Sequence, residues 1–181
     1  MIYLAIVLLI LLFIAIIFLF TIIFNSLIFG HGITSHSNAI ELLYKIIKAN
    51  NLEEKKFYDL GSAWGRLSIK TQKKFPKLQI LAIEDDRLRI FVSKLLQIIF
   101  RTKVQFFHDD LFNIDFKNAD ILFAYLWHTL LPQLEKKFLE QAKPGTIIIT
   151  HETFFPNLKP NKIITLHPNK KNSEKLFIYK K

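Results

Sequence analysis

Lys56-Phe57-Tyr58-Asp59-Leu60-Gly61-Ser62-Ala63-Trp64-Gly65-Arg66 is the stretch that decides how this chain folds. Its first half is a short apolar strand carrying Asp59 near its end. A tight turn with two glycines follows, and a basic helical segment begins at Arg66. Without a Cβ, Gly61 and Gly65 let the backbone approach a nucleotide-like ligand. Twenty-three residues after Gly61 a second apolar strand ends in Glu84. A carboxylate about 20 residues beyond such a turn, at the tip of the next strand, is placed to accept both hydroxyls of a ribose. Asp59, Gly61, Gly65 and Glu84 together describe a site for an adenosine-bearing cofactor.

Outward from that turn, strand and helix signals alternate. Strands are expected over Lys56–Leu60, Gln79–Glu84, Lys103–Phe107, Asp120–Tyr125 and Thr146–Thr150. Helices are expected over Ala39–Ala49, Gly65–Lys74, Asp86–Phe100 and Thr129–Ala142. Such alternation argues for an α/β fold, a parallel sheet with helices on both faces. Asn38, with Glu41 three positions on, reads as a capping-box start. In Asp86–Phe100 the expected core face is Phe91, Val92, Leu95, Leu96 and Ile99; in Thr129–Ala142 it is Leu130, Leu131, Leu134, Phe138 and Ala142. The C-terminal strands Lys162–His167 and Lys175–Tyr179 are separated only by Pro168–Glu174, which permits a hairpin and excludes a helical crossover.

Asp59-Leu60-Gly61-Ser62-Ala63-Trp64-Gly65-Arg66 resembles the Asp-Leu-Gly-Ser-Gly-Asp-Gly-Arg signature of class I S-adenosylmethionine (SAM) methyltransferases. Ala63 stands where that signature has its middle glycine, and Trp64 where it has an acidic residue. The likeness continues through Glu84, His108-Asp109-Asp110-Leu111, Asp120–Leu126 and Lys143-Pro144-Gly145-Thr146, and covers roughly Gly32 to the C-terminus. Within the superfamily the chain is most similar to protein-lysine methyltransferases that carry one N-terminal membrane segment, the group that includes the ATP synthase c-subunit lysine methyltransferase. The resemblance implies a Rossmann-like sheet closed by an antiparallel C-terminal hairpin. It also implies SAM as cofactor, held by Asp59, Gly61, Ser62, Gly65 and Glu84, with Asp110 or its neighbour Asp109 at the adenine. It places a lid over the methionine end at Gly32-Ile33-Thr34-Ser35.

Met1 to Phe24 contains no charged residue. A helix of that length would cross a bilayer core of about 30 Å, and the basic n-region and cleavage site of a signal peptide are absent. The expected organisation is an anchor over residues 1–24, a linker over 25–37 and a methyltransferase domain over 38–181. All charge, net +10, lies beyond the apolar segment, with lysines beginning at Lys45. The positive-inside bias then puts the domain in the cytoplasm. The lysines read as a solvated surface, with contact to anionic lipid second. No RNA-binding signature stands out, so nucleic acid is not an expected partner.

Methyl transfer from a sulfonium is a direct displacement that needs alignment and dryness, not a metal or a covalent nucleophile. The chain has no cysteine, and its six histidines show no metal-ligand spacing. Tyr125 and Trp127, after the fourth strand, are the candidate catalytic residues: aromatic walls with an exposed oxygen suit an acceptor amine at the strand ends. His151 and Glu152 are secondary candidates after the fifth strand. The leading expectation is a membrane-tethered methyltransferase acting on lysine in a membrane-associated protein. The competing one is a catalytically weak SAM-binding relative that serves as a tethered interaction module.

Overall fold

The computed structural model describes residues 2–29, 37–167, 169 and 173–181. The chain falls into two compact units, Met1–Ile33 and Thr34–Lys181. The first unit is helix α1, Ile2–Phe29, which runs five residues past the expected end at Phe24. Its described side chains, Tyr3 and Ile6–Leu19, are all exposed. Among the described residues no helix is long and apolar enough to cross a membrane. The expected lid, Gly32–Ser35, and most of the expected linker lie outside the described residues.

The second unit follows the expected alternation. It contains α2 (Ser37–Ala49), β1 (Lys56–Leu60), α3 (Arg66–Lys74), β2 (Gln79–Glu84), α4 (Arg87–Phe100) and β3 (Gln105–His108). After these come β4 (Ile121–Ala124), α5 (Leu131–Gln141), β5 (Ile147–His151), β6 (Lys162–Thr165) and β7 (Lys175–Lys180). They form one seven-stranded sheet in the order β3-β2-β1-β4-β5-β7-β6. The first five strands are parallel, and β7 runs antiparallel to both β5 and β6. This is the expected Rossmann-like sheet with its antiparallel C-terminal pair.

The order reverses between β1 and β4. Chain leaving β1 returns through β2 on one side, while chain leaving β4 returns through β5 on the other. A crevice therefore opens at the carboxyl ends of β1 and β4, where α/β sheets bind ligands. Register puts Leu60 opposite Ile83 on one side and Ala124 on the other, so the ends of β1, β2 and β4 are level.

Side-chain alternation divides the layers. Asp59 points to the face covered by α3, where Ser68 donates to its Oδ2 at 2.6 Å. Leu60 belongs to the opposite core, packed with Leu122, Ile148 and Tyr179 against Leu131, Leu134 and Phe138 of α5. Leu131, Leu134, Phe138 and Ala142 of the expected stripe are thus packed, while Leu130 lies in the turn before α5 and is half-buried. A short 3-10 turn, His128–Leu130, precedes α5, whose own start is marked by Pro132, a residue suited to a first helical turn.

Two expectations fail. Asn38 is not a helix cap, because α2 already begins at Ser37 and Asn38 instead contacts His167 at 3.1 Å. The core face of α4 is also different. Of the expected set Leu96 is buried and Val92 half-buried, but Phe91, Leu95 and Ile99 are exposed, and Ile90 and Ser93 take the inner positions instead. The small Ser93 lets α4 lie close under the glycine turn, and its hydroxyl donates to the Ala63 carbonyl at 3.3 Å. That contact turns the bulkier apolar side outward.

Candidate functional site

The turn after β1 is built from three left-handed residues, Gly61 (φ 77°), Ala63 (φ 48°) and Gly65 (φ 72°). The amides of Gly61 and Ser62 both donate to the Ile83 carbonyl, at 2.9 and 2.8 Å, which stitches the turn to the end of β2. A Cβ at Gly61 would stand 2.7 Å from Leu126 Cδ2, and one at Gly65 would stand 2.6 Å from the Phe106 ring. The glycines are therefore required by positive φ and by packing against β3 and the end of β4. Ala63 takes the left-handed conformation despite its Cβ, at a cost of about 1 kcal/mol.

Glu84 is buried at the tip of β2 and reaches back to the turn. Its Oε2 accepts from the Ala63 amide at 2.8 Å, and its Oε1 pairs with Arg89 Nη1 at 3.3 Å. Burial raises its pKa, against the lowering effects of the Ala63 amide and the Arg89 charge. The Arg89 guanidinium also lies 5.9 Å from the centre of the Trp64 ring, so Trp64, Arg89 and Glu84 form one wall. Asp59, buried on the strand beside it, is pushed up to about 7. Burial is the main cause; the Ser68 hydroxyl opposes it, and the Glu84 charge adds to it.

Asp109 and Asp110 follow β3 at the same edge, where the Asp109 amide donates to the Glu84 carbonyl at 3.2 Å. Asp109 Oδ1 accepts from the Asp110 amide and from Asn113 Nδ2, both at 2.8 Å, whereas Asp110 Oδ1 accepts from the Phe112 amide. Asp110 is exposed and Asp109 half-buried.

Across the crevice, Tyr125 extends from β4 and donates its hydroxyl to Glu152 Oε2 at 2.7 Å. Its ring packs 4.2 Å from that of His151, which is fully buried and contacts Glu174 Oε2 through Nε2 at 2.9 Å. Burial, then the Glu152 hydrogen bond and charge, raise the Tyr125 pKa far above the ordinary phenol range. Glu152 is exposed and sits at φ 62°, a left-handed conformation uncommon for a residue with a Cβ. Strain of this kind gathers at ligand sites. Trp127 does not join this group; it is 68% exposed, at the start of the 3-10 turn.

Asp59, Gly61, Ser62, Gly65 and Glu84 are thus gathered in one turn, with Asp110 at the next strand tip and Tyr125 across the switch point. Sequence reading missed Arg89, Ser68 and Glu174. Arg89 was findable, as a cation in the first turn of the helix that follows the strand-tip carboxylate. Ser68 and Glu174 carried no such signal. Among the described residues no group of three His, Asp or Glu is placed to hold a metal.

Comparison with known proteins agrees with this geometry. The family described as the ANTKMT methyltransferase domain matches residues 59–162, more than half of the chain. A protein-lysine N-methyltransferase of Saccharolobus islandicus (strain REY15A) is 24% identical over 117 residues, 64% of this chain and 73% of that one. Among solved structures, an RNA methyltransferase from Salinibacter ruber in complex with S-adenosyl-L-homocysteine superposes with a TM-score of 0.71 at 19% identity. The match covers 82% of this chain and 93% of that one. A hypothetical protein of Thermus thermophilus gives 0.65 at 10% identity, over 84% and 90%.

The residues present fit a cofactor of that class. The Ser62 hydroxyl is buried within the turn and has no hydrogen-bond partner among the described residues. A buried polar atom left so costs about 1–3 kcal/mol unless a ligand satisfies it.

Proposed function

Because this chain belongs to the ANTKMT methyltransferase domain family, and is thus a SAM-dependent methyltransferase, we propose that it methylates lysine on a membrane-associated protein. SAM supplies, when bound, an electrophilic methyl group on a sulfonium. Ser62 and Glu84 are the polar groups that would hold it, with Asp110 or Asp109 at the adenine. Gly61, Ala63 and Gly65 fix the turn that presents them.

The observation that carries the lysine reading is the Tyr125–Glu152 pair at the same sheet edge as the glycine turn. The raised Tyr125 pKa keeps its phenol protonated at neutral pH, so it acts as a donor that orients Glu152 and not as a base. Glu152, so held, offers an arriving ammonium a counter-charge; that ammonium must release one proton to solvent before its nitrogen can attack the methyl group. Trp127 stands exposed at the rim, where a polypeptide carrying the lysine would approach. The relative from Saccharolobus islandicus, by its name a protein-lysine N-methyltransferase, supports the same acceptor class.

Membrane association rests on the uncharged N-terminal sequence and on α1, whose 28 residues would extend about 42 Å. We place the catalytic unit on the cytoplasmic side, since every Lys and Arg follows that segment.

The test compares wild type, Tyr125→Phe and Glu152→Gln for methyl transfer to lysine peptides and for SAM affinity. Both variants are expected to lower transfer about tenfold or more, the loss of one charge-assisted hydrogen bond, with affinity nearly unchanged. Equal losses in transfer and affinity would remove Tyr125 and Glu152 from the acceptor site.

A further inference from the structure

The outward face of α4 is apolar along its whole length. Leu88, Phe91, Leu95, Ile98 and Ile99 recur at helical spacing and are 45–73% exposed. Contiguous exposed apolar surface of this kind marks an interaction site. Beside that stripe run Arg87, Lys94 and Arg101, each seven residues, close to two helical turns, from the next. Helix α4 itself contains no acidic residue. None of the ion pairs among the described residues uses these three cations. Three carboxylates precede the helix: Asp86 caps it, Glu84 is committed to Arg89 and the Ala63 amide, and Asp85 stands exposed between them.

We infer that α4 is a peripheral membrane-binding helix that seats its outer face in the headgroup layer of an anionic bilayer. An apolar stripe flanked by Lys and Arg is the pattern of helices that lie in that plane, held by apolar burial and attraction to anionic lipid. Charge disfavours a second copy as the occupant. An antiparallel two-fold contact would line the three cations along the same flank as their own images, and any pairing of copies joins chains that each carry net +10. The position matters, because Arg89 on the inner side of the same helix contacts Glu84. Bilayer contact and the cofactor turn therefore share one element. This inference concerns a different helix from α1 and does not depend on α1 spanning a bilayer.

The full chain contains no cysteine, so a single one can be introduced as a reporter. The chain carrying Leu95→Cys, labelled with an environment-sensitive dye, is reconstituted in vesicles of phosphatidylcholine with or without phosphatidylglycerol. The dye is expected to shift to the blue, and to be quenched by brominated lipid, only in the anionic vesicles. A dye at Lys136→Cys, on α5 across the sheet, is expected to remain aqueous in both. Replacing Arg87, Lys94 and Arg101 together by Gln should lower the ratio of lipid-contacting to free α4 about a hundredfold. Ile98→Cys repeats the measurement should Leu95→Cys perturb the fold. Aqueous emission at both reporters in both vesicles would overturn the inference. So would burial that ignores lipid charge and comes with energy transfer between copies, which assigns the face to a second chain. Alkaline carbonate separates the two membrane readings. Chain extracted by carbonate with the dye response intact defeats only the anchor; chain retained with an aqueous dye defeats only the α4 surface.

Discussion

Two buried carboxyls, Asp59 and Glu84, set the electrostatics of the glycine turn, and burial raises both. For Asp59 the folded value of about 7 stands above 3.8 for the exposed acid. Between those values the folded state binds more protons, so stability falls as pH rises through the window; Glu84 contributes with the same sign. Urea unfolding of wild type is expected to show about 1–4 kcal/mol less stability at pH 8 than at pH 5. Asp59→Asn keeps the acceptor for Ser68 but removes the ionisation, and should flatten most of that slope. A wild-type profile that is already flat would mean the acid is not held as described. Glu84 has the opposite relation to function: Glu84→Gln should relieve repulsion with Asp59 yet weaken SAM binding by about 1–3 kcal/mol, measured by calorimetry, since a hydrogen-bond acceptor for the ribose is lost. Unchanged affinity would leave the ribose to another residue. Both carboxyls were legible from their strand-tip positions. Their mutual influence was not, because it depends on Ser68 and Arg89 arriving from two different helices.

At the scale of elements, the glycine turn is held by what packs on it. The missing Cβ of Gly65 makes room for the Phe106 ring from β3 and for Ser93 from α4. Gly65→Ala should therefore cost about 2–4 kcal/mol, part from the left-handed φ and part from the clash. The Phe106→Leu background isolates the second part: the double variant should fall short of the summed single losses by about 1 kcal/mol. Strict additivity would assign the whole cost to backbone strain. The strands were readable because each is a short apolar run bounded by turn residues. The inner face of α4 was not readable, since apolar residues surround nearly all of that helix. Periodicity alone favoured the bulky set with Phe91 and Leu95. The fold kept Leu96 from that set and added Ile90 and Ser93, because only a small residue fits beneath the turn.

At the scale of the whole molecule, seven residues separate the end of α1 at Phe29 from the start of α2 at Ser37. A chain that short spans at most about 25 Å. If α1 is anchored as proposed, the catalytic unit can work only near the bilayer, where membrane-associated acceptors have a high effective concentration. A net charge of +10 opposes strongly cationic acceptors and tolerates a single lysine among acidic residues or lipid headgroups. The expected outcome is therefore narrow. Alkaline carbonate should leave the chain in the membrane, and added protease should digest its Thr34–Lys181 unit from the cytoplasmic side alone. Mass spectrometry of membrane fractions with and without the gene should show a lost mono-, di- or trimethyl-lysine. A version carrying Glu152→Gln should fail to restore that mark while still binding SAM. Recovery of only soluble or small-molecule methyl acceptors would sink the lysine assignment, and would leave the proposed cofactor role of Ser62 and Glu84 to be judged by SAM affinity alone.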